Sequence, residues 1–209
     1  MTREETTFLD QVYKLDDADS TKSLYDDCAD QYDRELREIG YASPARCAAA
    51  LADAVDDRSA PLHDLGCGTG LSGEAFREAG FTNIDGSDFS RPMLDIAESK
   101  KGVYQQLMVA DLYHPLPFDA AAYANIAAVG VFSPGHAPPE MIDDVIAKLP
   151  PGGCFVFTLN DHALEMPGYR QHVNDLVRDG RVERVFEEYG EHLRRDGLKS
   201  QVCVLRRSA

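Results

Sequence analysis

The chain has 209 residues, of which 44% are hydrophobic, and its 36 acidic and 21 basic residues give a net charge of −15. This length suits one α/β domain with an added terminal segment, and the hydrophobic fraction is that of a globular protein. The acidic balance opposes nucleic acid as the main partner, because phosphate binding requires a basic surface. The many Asp and few Lys residues are open to two interpretations, adaptation to salt or an ordinary acidic surface, and we favour the second.

The five cysteines lie far apart and form no Cys-x-x-Cys pair or Cys/His ligand pattern. This usage predicts a reduced, intracellular protein without a structural zinc ion. Residues 1–19 are polar and acidic, and no later segment is long and apolar enough to cross a membrane. We therefore expect a cytoplasmic protein without a metal site that binds neither membranes nor nucleic acid.

The N-terminal part is predicted to form a loose arm, residues 1–20, followed by a helix over Lys22–Glu38. Apolar residues recur every fourth position in this helix and therefore share one face. Two of its tyrosines, Tyr25 and Tyr32, each precede an Asp.

A second helix is predicted from Ser43 to about Val55, with Ser43 as its N-cap and Pro44 in its first turn. Its alanines suit close packing against a sheet. We therefore predict two units, an N-terminal arm and helical lid over residues 1–42 and a core domain over residues 43–209.

A strand, a glycine-rich turn and the start of a helix follow one another between Pro61 and Gly73. Three glycines occupy alternate positions in this turn: Gly66, Gly68 and Gly70. Because they carry no Cβ, they would let the backbone approach a bound molecule. The N–H groups at the start of the helix would then face an anionic or polar end of the ligand. Asp64 stands where the strand meets the turn.

The second strand is predicted over Phe81–Asp88 and places Asp88 at its carboxyl end. An acidic residue about 20 residues after the glycines accepts hydrogen bonds from ribose hydroxyls in nucleotide-binding α/β folds. Ser90 is placed to cap the next helix. Asp85 is an alternative ribose ligand that lies inside the strand, and Asp88 could instead be a helix-start acid favoured by the helix dipole.

Five further strands and two further helices complete the predicted α/β pattern. The strands cover Val103–Val109, Asn125–Val129, Cys154–Leu159, Arg184–His192 and Ser200–Arg206, and the helices cover Pro139–Leu149 and Tyr169–Arg178. The turn at Asp196-Gly197 indicates that the last two strands form a hairpin.

These motifs together resemble those of class I methyltransferases that use S-adenosylmethionine. The run Asp64-Leu-Gly-Cys-Gly-Thr-Gly70 matches their signature of an acidic residue, one spacer and Gly-x-Gly-x-Gly, and Gly86–Leu94 resembles the segment after their second strand. The loop Val129–Pro138 is similar to that of the methyltransferase-like proteins named for the Williams–Beuren syndrome chromosome region. The similarity would cover about residues 22–206, with one departure at Ala124, where the family usually has Asp.

The resemblance implies a Rossmann-like class I methyltransferase fold, with a seven-stranded, mostly parallel sheet, a C-terminal antiparallel hairpin and helices on both faces. It implies S-adenosyl-L-methionine as cofactor and S-adenosyl-L-homocysteine as product. The residues that it places around the cofactor are Tyr32, Asp64, Gly66, Cys67, Gly68, Gly70, Asp88, Phe89, Met93, Asp111, Leu112 and Val129. Tyr32 would close over the cofactor, Asp88 would hold the ribose and Asp111 would accept from the adenine amino group. Purely structural roles stay open for each, such as Tyr32 packing its helix onto the domain.

The expected reaction is transfer of a methyl group to a small molecule by a monomer or homodimer. His136 is the first candidate for a general base, with Asp161 and His162 behind it, and a polar loop role is the alternative for each. Two other functions stay open: a protein of the same fold that binds the cofactor without turnover, and a protein methyltransferase. An NAD-dependent oxidoreductase is a third alternative, because Gly68–Gly73 also fits Gly-x-Gly-x-x-Gly.

Overall fold

One mixed β-sheet organises the residues that the computed structural model describes, which are 31–111, 115–116, 118–133 and 137–209. Its strands are β1 (Leu62–Leu65), β2 (Ile84–Asp88), β3 (Leu107–Val109), β4 (Asn125–Phe132), β5 (Cys154–Asn160), β6 (Val182–Leu193) and β7 (Leu198–Arg207). The helices are α1 (31–39), α2 (Ser43–Ala54), α3 (Leu71–Glu78), α4 (Arg91–Ser99), α5 (Met141–Lys148), α6 (Asp161–Glu165) and α7 (Pro167–Arg178).

The strand order is β3-β2-β1-β4-β5-β7-β6, and the order reverses between β1 and β4. Strands β1 to β5 pair in parallel, whereas β7 runs antiparallel to both of its neighbours. The register aligns Leu65 with Ser87, so the turn after β1 and the carboxyl end of β2 lie side by side. This arrangement confirms the predicted fold class. We call the edge of the sheet where β1, β2, β4 and β5 end the ligand edge, because open α/β sheets bind ligands there.

Helices cover both faces of the sheet and bury its central strands. Every residue of β5 is buried, as expected for a strand packed on two sides. Phe155 and Phe157 face the cluster that contains α5 and α7, whereas Val156 faces the cluster that contains α2 and α3. A smaller cluster joins α1 to Leu193 at the end of β6. The N-terminal helix therefore packs against the last hairpin at the ligand edge.

The predicted cap of α2 is wrong, although the helix begins where expected. The N-cap residue is Ala42, which makes no side-chain capping bond. The hydroxyl of Ser43 instead lies 2.7 Å from Nδ1 of His192 and 3.0 Å from the hydroxyl of Ser200. The C-terminal hairpin brings these two partners over the start of the helix, so the serine joins helix to hairpin. At α4 the predicted cap is confirmed, since Ser90 Oγ accepts from the following helical turn at 3.3 Å.

The third strand is shorter than the predicted Val103–Val109. The backbone N–H of Val103 donates to the carbonyl of Lys100 at 3.2 Å, so the chain is still turning before β3 begins. The fourth strand is longer than predicted and has an irregular register around Gly130, whose φ is +74°. Of the predicted helix Lys22–Glu38, residues 22–30 lie outside the described residues. The unit boundary at residue 43 stays a prediction.

Among the described residues, no helix combines the length and the apolar composition that a membrane crossing requires.

Among the described residues, two histidines are buried. His63 packs against the rings of Phe118 and Tyr123, at centroid distances of 4.6 and 4.7 Å, and its Nε2 is 2.8 Å from the hydroxyl of Ser87. Burial lowers the pKa of His63 to about 3 and that of His192 to about 4. Both imidazoles are therefore neutral in the folded protein at neutral pH.

We expect acid to destabilise the protein partly through His192. Its unfolded pKa of 6.5 exceeds the folded value of about 4, so the unfolded chain binds more protons and the free energy of unfolding falls between these values as the pH drops. At about pH 5 this contribution reaches up to about 2 kcal/mol. Urea denaturation of wild type and His192→Gln at about pH 7.5 and about pH 5 measures it, since contributions of distant groups cancel in the difference. Equal pH dependence in the two proteins would contradict the prediction.

Candidate functional site

The glycine turn, residues 66–70, leaves the carboxyl end of β1 and leads into α3. Gly66, Gly68 and Gly70 have φ values of +68°, +53° and +92°. L-residues rarely adopt this region, so the backbone alone favours glycine at all three positions. The turn is closed by the N–H of Gly70, which donates to the carbonyl of Cys67 at 2.9 Å. The backbone conformation of the turn therefore already favours the glycines of this motif, before any ligand is considered.

The three glycines differ in what a side chain would meet. A Cβ at Gly66 would lie 2.6 Å from Cγ2 of Val131, and one at Gly70 would lie 3.1 Å from the ring of Tyr104. A Cβ at Gly68 would have no atom within 4 Å. Only Gly68 therefore has open space in front of it, whereas the protein's own side chains exclude a Cβ at Gly66 and crowd one at Gly70. The sequence prediction assigned all three glycines to ligand approach, and the structure separates them.

The carboxylate of Asp88 connects the end of β2 to the glycine turn. Its Oδ2 accepts from the N–H of Gly68 at 2.9 Å, and its Oδ1 accepts from the N–H of Ser90 at 2.9 Å. The residue is 6% exposed. The predicted alternative, Asp85, is engaged elsewhere, because it accepts from Tyr123 at 2.9 Å and from the N–H of Gln106 at 3.1 Å. Asp88 is therefore the carboxylate that lies beside the open glycine.

The carboxylate of Asp64 is completely buried beneath the turn. Its Oδ2 accepts from the hydroxyls of Ser72, at 2.6 Å, and Tyr104, at 2.7 Å, while its Oδ1 is buried without a hydrogen-bond partner. Burial raises the pKa of Asp64 to about 6. An unpaired buried acceptor costs free energy, so a cationic or hydrogen-bond-donating ligand group would be favoured there.

Two tyrosines at the ligand edge were not predicted from the sequence to belong to the site. Tyr104 packs beneath the glycine turn, in the segment before β3. The hydroxyl of Tyr41 lies against the backbone of β4, since a Cβ at Gly130 would be 2.6 Å from it, and its ring meets His192 edge-on at 5.3 Å. Neither tyrosine stands in a motif, so no local signal pointed to them.

Asp33, which directly follows the predicted cofactor contact Tyr32 in the sequence, holds helix α1 over the glycine turn. Asp33 accepts a hydrogen bond from the hydroxyl of Thr69 in the turn, and Nζ of Lys100 lies 2.6 Å from its Oδ2. Lys100 is also 3.2 Å from Glu74 of α3. We call these contacts the lid clamp. Tyr32 itself is half-buried and packs beside the cluster that joins α1 to β6.

The remaining predicted residues occupy several environments. Cys67, Met93 and Val129 are buried, Phe89 is half-buried beside Asp88, and Asp111 is exposed just after β3. Leu112 and the candidate base His136 lie outside the described residues. Asp161 accepts from the hydroxyl of Tyr189 at 2.7 Å and from the N–H of Lys199 at 2.9 Å, so it holds the hairpin. His162 adjoins Asp161 in α6. The roles predicted for these residues towards a cofactor stay predictions.

We expect the lid clamp to stabilise α1 by about 1 kcal/mol, because Lys100 is only 13% exposed and its ion pair is partly shielded from water. Asp33→Asn should therefore speed hydrogen exchange of the amides in residues 31–39 and lower the free energy of unfolding by about that amount. Asp95→Asn is the matched control, since its pair with Arg91 is exposed on both sides. A double-mutant cycle with Lys100→Met measures the coupling, and equal effects of Asp33→Asn and Asp95→Asn would contradict the clamp.

The chain is similar in sequence to known methyltransferases. Residues 63–153 match the family model described as a methyltransferase domain. The human methyltransferase-like protein 27 is 32% identical over 139 residues, which are 65% of this chain and 56% of that protein. The chain therefore spans little more than half of the length of that curated relative. The predicted resemblance to methyltransferases, including the methyltransferase-like proteins, is confirmed.

Solved structures share the fold at low sequence identity. One is the complex between the Haloferax volcanii Trm112 methyltransferase activator and a chain described as a methyltransferase, with a TM-score of 0.68 at 18% identity over 88% of this chain and 98% of that one. Another is the magnesium protoporphyrin IX methyltransferase of Synechocystis with bound SAH, with a TM-score of 0.63 at 18% identity over 85% and 88%. Residues 63–153 are thus similar to a methyltransferase domain, and the chain has the Rossmann-like fold of class I methyltransferases.

Proposed function

We propose that this chain is an S-adenosylmethionine-dependent methyltransferase that acts on a small-molecule acceptor. One observation carries the proposal: the backbone N–H of Gly68, with no side chain in front of it, lies 2.9 Å from the Asp88 carboxylate at the ligand edge. A nucleoside needs this combination, a surface on which it can lie close to the backbone and a carboxylate for its ribose hydroxyls. The neighbour from Synechocystis, which holds SAH, supports the choice of nucleoside.

The buried Asp64 fits the amino-acid end of the same cofactor. Its Oδ1 lacks a hydrogen-bond partner, and an α-ammonium group would supply both charge and donors. Asp88 accepts from the N–H of Gly68, and Asp64 lies on the neighbouring strand β1, where the register pairs it with Gly86 of β2. We therefore assign the amino-acid end to Asp64 and the ribose to Asp88.

When bound, S-adenosylmethionine would supply an electrophilic methyl group on a sulfonium. The work left to the protein is alignment of the acceptor with that methyl group, and a rigid turn on a buried sheet edge suits this work. The lid clamp holds α1 over the turn and would limit access of water. A general base is needed only for an acceptor that must lose a proton, for which His136 stays the candidate. Tyr41 covers the backbone at the end of β4, which favours a small acceptor.

The strand order argues against the dinucleotide alternative. Dinucleotide-binding folds continue the sheet after the fifth strand with a parallel sixth, whereas here the antiparallel β7 lies between β5 and β6. The predictions of no nucleic-acid partner and of a monomer or homodimer stay predictions.

Isothermal titration of the purified chain with S-adenosylmethionine, S-adenosylhomocysteine and NAD tests the cofactor. We expect both adenosyl compounds to bind and NAD to give no heat, and the reverse would overturn the proposal. Transfer of isotope-labelled methyl groups from S-adenosylmethionine to a metabolite extract then separates an enzyme from a protein that binds without turnover. Label in a protein fraction instead would indicate a protein methyltransferase.

Gly68→Ala should weaken S-adenosylhomocysteine binding at least tenfold, which is about 1.4 kcal/mol, because the added methyl group enters the space assigned to the cofactor. Gly180→Ala is the matched control, since Gly180 also has positive φ and a Cβ there would meet no atom within 4 Å. Both changes should lower the free energy of unfolding by about 1–2 kcal/mol through backbone strain. Equal affinity in the two variants would show that the ligand does not lie against Gly68.

A further inference from the structure

We infer that Tyr104 is a positioning residue for the proposed function: its phenol holds the Asp64 carboxylate and the glycine turn in the geometry that receives the amino-acid end of the cofactor. The inference rests on the proposed function for its consequence in binding. Its structural basis is independent of any ligand and consists of the ring, the hydroxyl and the charge that the hydroxyl faces.

The ring of Tyr104 occupies the space that three glycines leave open. A Cβ would lie 3.1 Å from the ring at Gly70, 2.3 Å at Gly73 and 2.9 Å at Gly86. These glycines belong to the turn, to α3 and to β2, so one ring packs against three elements of the site. The glycines are therefore matched to the tyrosine, and the ring supports the turn from below.

The hydroxyl of Tyr104 joins the start of α3 to the buried carboxylate. It accepts from the backbone N–H of Gly73 at 3.1 Å and donates to Asp64 Oδ2 at 2.7 Å. The first N–H groups of a helix have no partner within the helix, and the phenol satisfies one of them. Ser72 donates to the same oxygen at 2.6 Å. The two hydroxyls therefore fix Oδ2 and leave Oδ1 as the acceptor without a partner.

The same hydrogen bond acts on the charge of Asp64. The pKa of Asp64 is raised to about 6, mainly by burial; the hydrogen bonds from Ser72 and Tyr104 act in the opposite direction, and the charge of Asp88 adds to the rise. The pKa of Tyr104 is raised well above 10 by burial, so its hydroxyl keeps its proton. Among the described residues, the other titratable groups that interact with Asp64 are the buried thiols of Cys47 and Cys67, whose pKa values burial also raises. Asp88 is therefore the charged neighbour, and Tyr104 helps to keep Asp64 ionised beside it.

Tyr123, which lies just before β4, provides a matched control. Its hydroxyl donates to Asp85 Oδ2 at 2.9 Å, and the residue is 9% exposed. Tyr104→Phe and Tyr123→Phe thus each remove one tyrosine hydroxyl from one carboxylate and keep the ring. Only the first change touches Asp64.

The first measurement is made without ligand, by carbon-13 NMR titration of the carboxyl groups, with the Asp64 signal assigned from Asp64→Asn. We expect the Asp64 midpoint to lie near 6 in wild type and Tyr123→Phe, and about one pH unit higher in Tyr104→Phe. An unchanged midpoint in Tyr104→Phe, or the same shift in both variants, would overturn the inference.

The second measurement is the affinity for S-adenosylhomocysteine. If its ammonium group requires ionised Asp64, a shift of one unit from 6 makes Tyr104→Phe about fivefold weaker than wild type at about pH 6 and nearly equal at about pH 8. A loss of affinity that is the same at both pH values would indicate a merely structural role and would count against the inference.

The two measurements separate the inference from the proposed function. If wild type binds no adenosyl compound while the Asp64 midpoint moves only in Tyr104→Phe, the function fails and the positioning of Asp64 by Tyr104 stands. Should Tyr104→Phe not fold, Tyr104→3-fluorotyrosine keeps the ring and makes the hydroxyl a stronger donor. It should lower the Asp64 midpoint below the wild-type value, and an equal or higher midpoint would overturn the inference.

Discussion

The buried carboxylate of Asp64 is the constraint on which the ligand edge depends. A charge removed from water is costly unless hydrogen bonds compensate it, and here the compensation comes from Ser72 of α3 and from Tyr104 in the segment before β3. Strand β1, helix α3 and the approach to β3 must therefore be in place together. The Asp64 carboxylate thus connects these three segments, and their positions together fix the geometry of the glycine turn.

The glycine pattern has two physical causes, which coincide in one motif. Gly66 and Gly70 are limited by the side chains of Val131 and Tyr104, whereas Gly68 has nothing in front of it. At Gly66 and Gly70 the cause is packing within the protein, whereas the open space at Gly68 is compatible with a bound ligand. A motif that is typical of nucleotide binding is therefore maintained in part by the protein's own core.

Both ends of the described chain contribute to the ligand edge. Helix α1 reaches the turn through Asp33, which bonds Thr69 and Lys100. The C-terminal hairpin reaches the start of α2 through His192, which bonds Ser43. Because α1 also packs against the end of β6, the two ends support each other. The edge that would receive the cofactor is consequently bounded by segments that are far apart in sequence.

The sequence by itself determined the order of most strands and helices, the cap at Ser90 and the glycine turn, because each depends on residues within a few positions of one another; it did not determine the ends of β3 and β4 or the short helix α6. Only the tertiary structure decided that Ser43 bonds the C-terminal hairpin instead of capping its helix. The local preference of serine for the N-cap is overridden because His192, which is distant in sequence, lies within hydrogen-bond distance of its hydroxyl. Tyr104 illustrates the same limit, for its hydroxyl bonds residues 31 and 40 positions earlier in the chain. Spacing within one motif predicts which backbone can turn tightly. Which distant side chain fills the space beside that turn is set by the packing of the whole sheet.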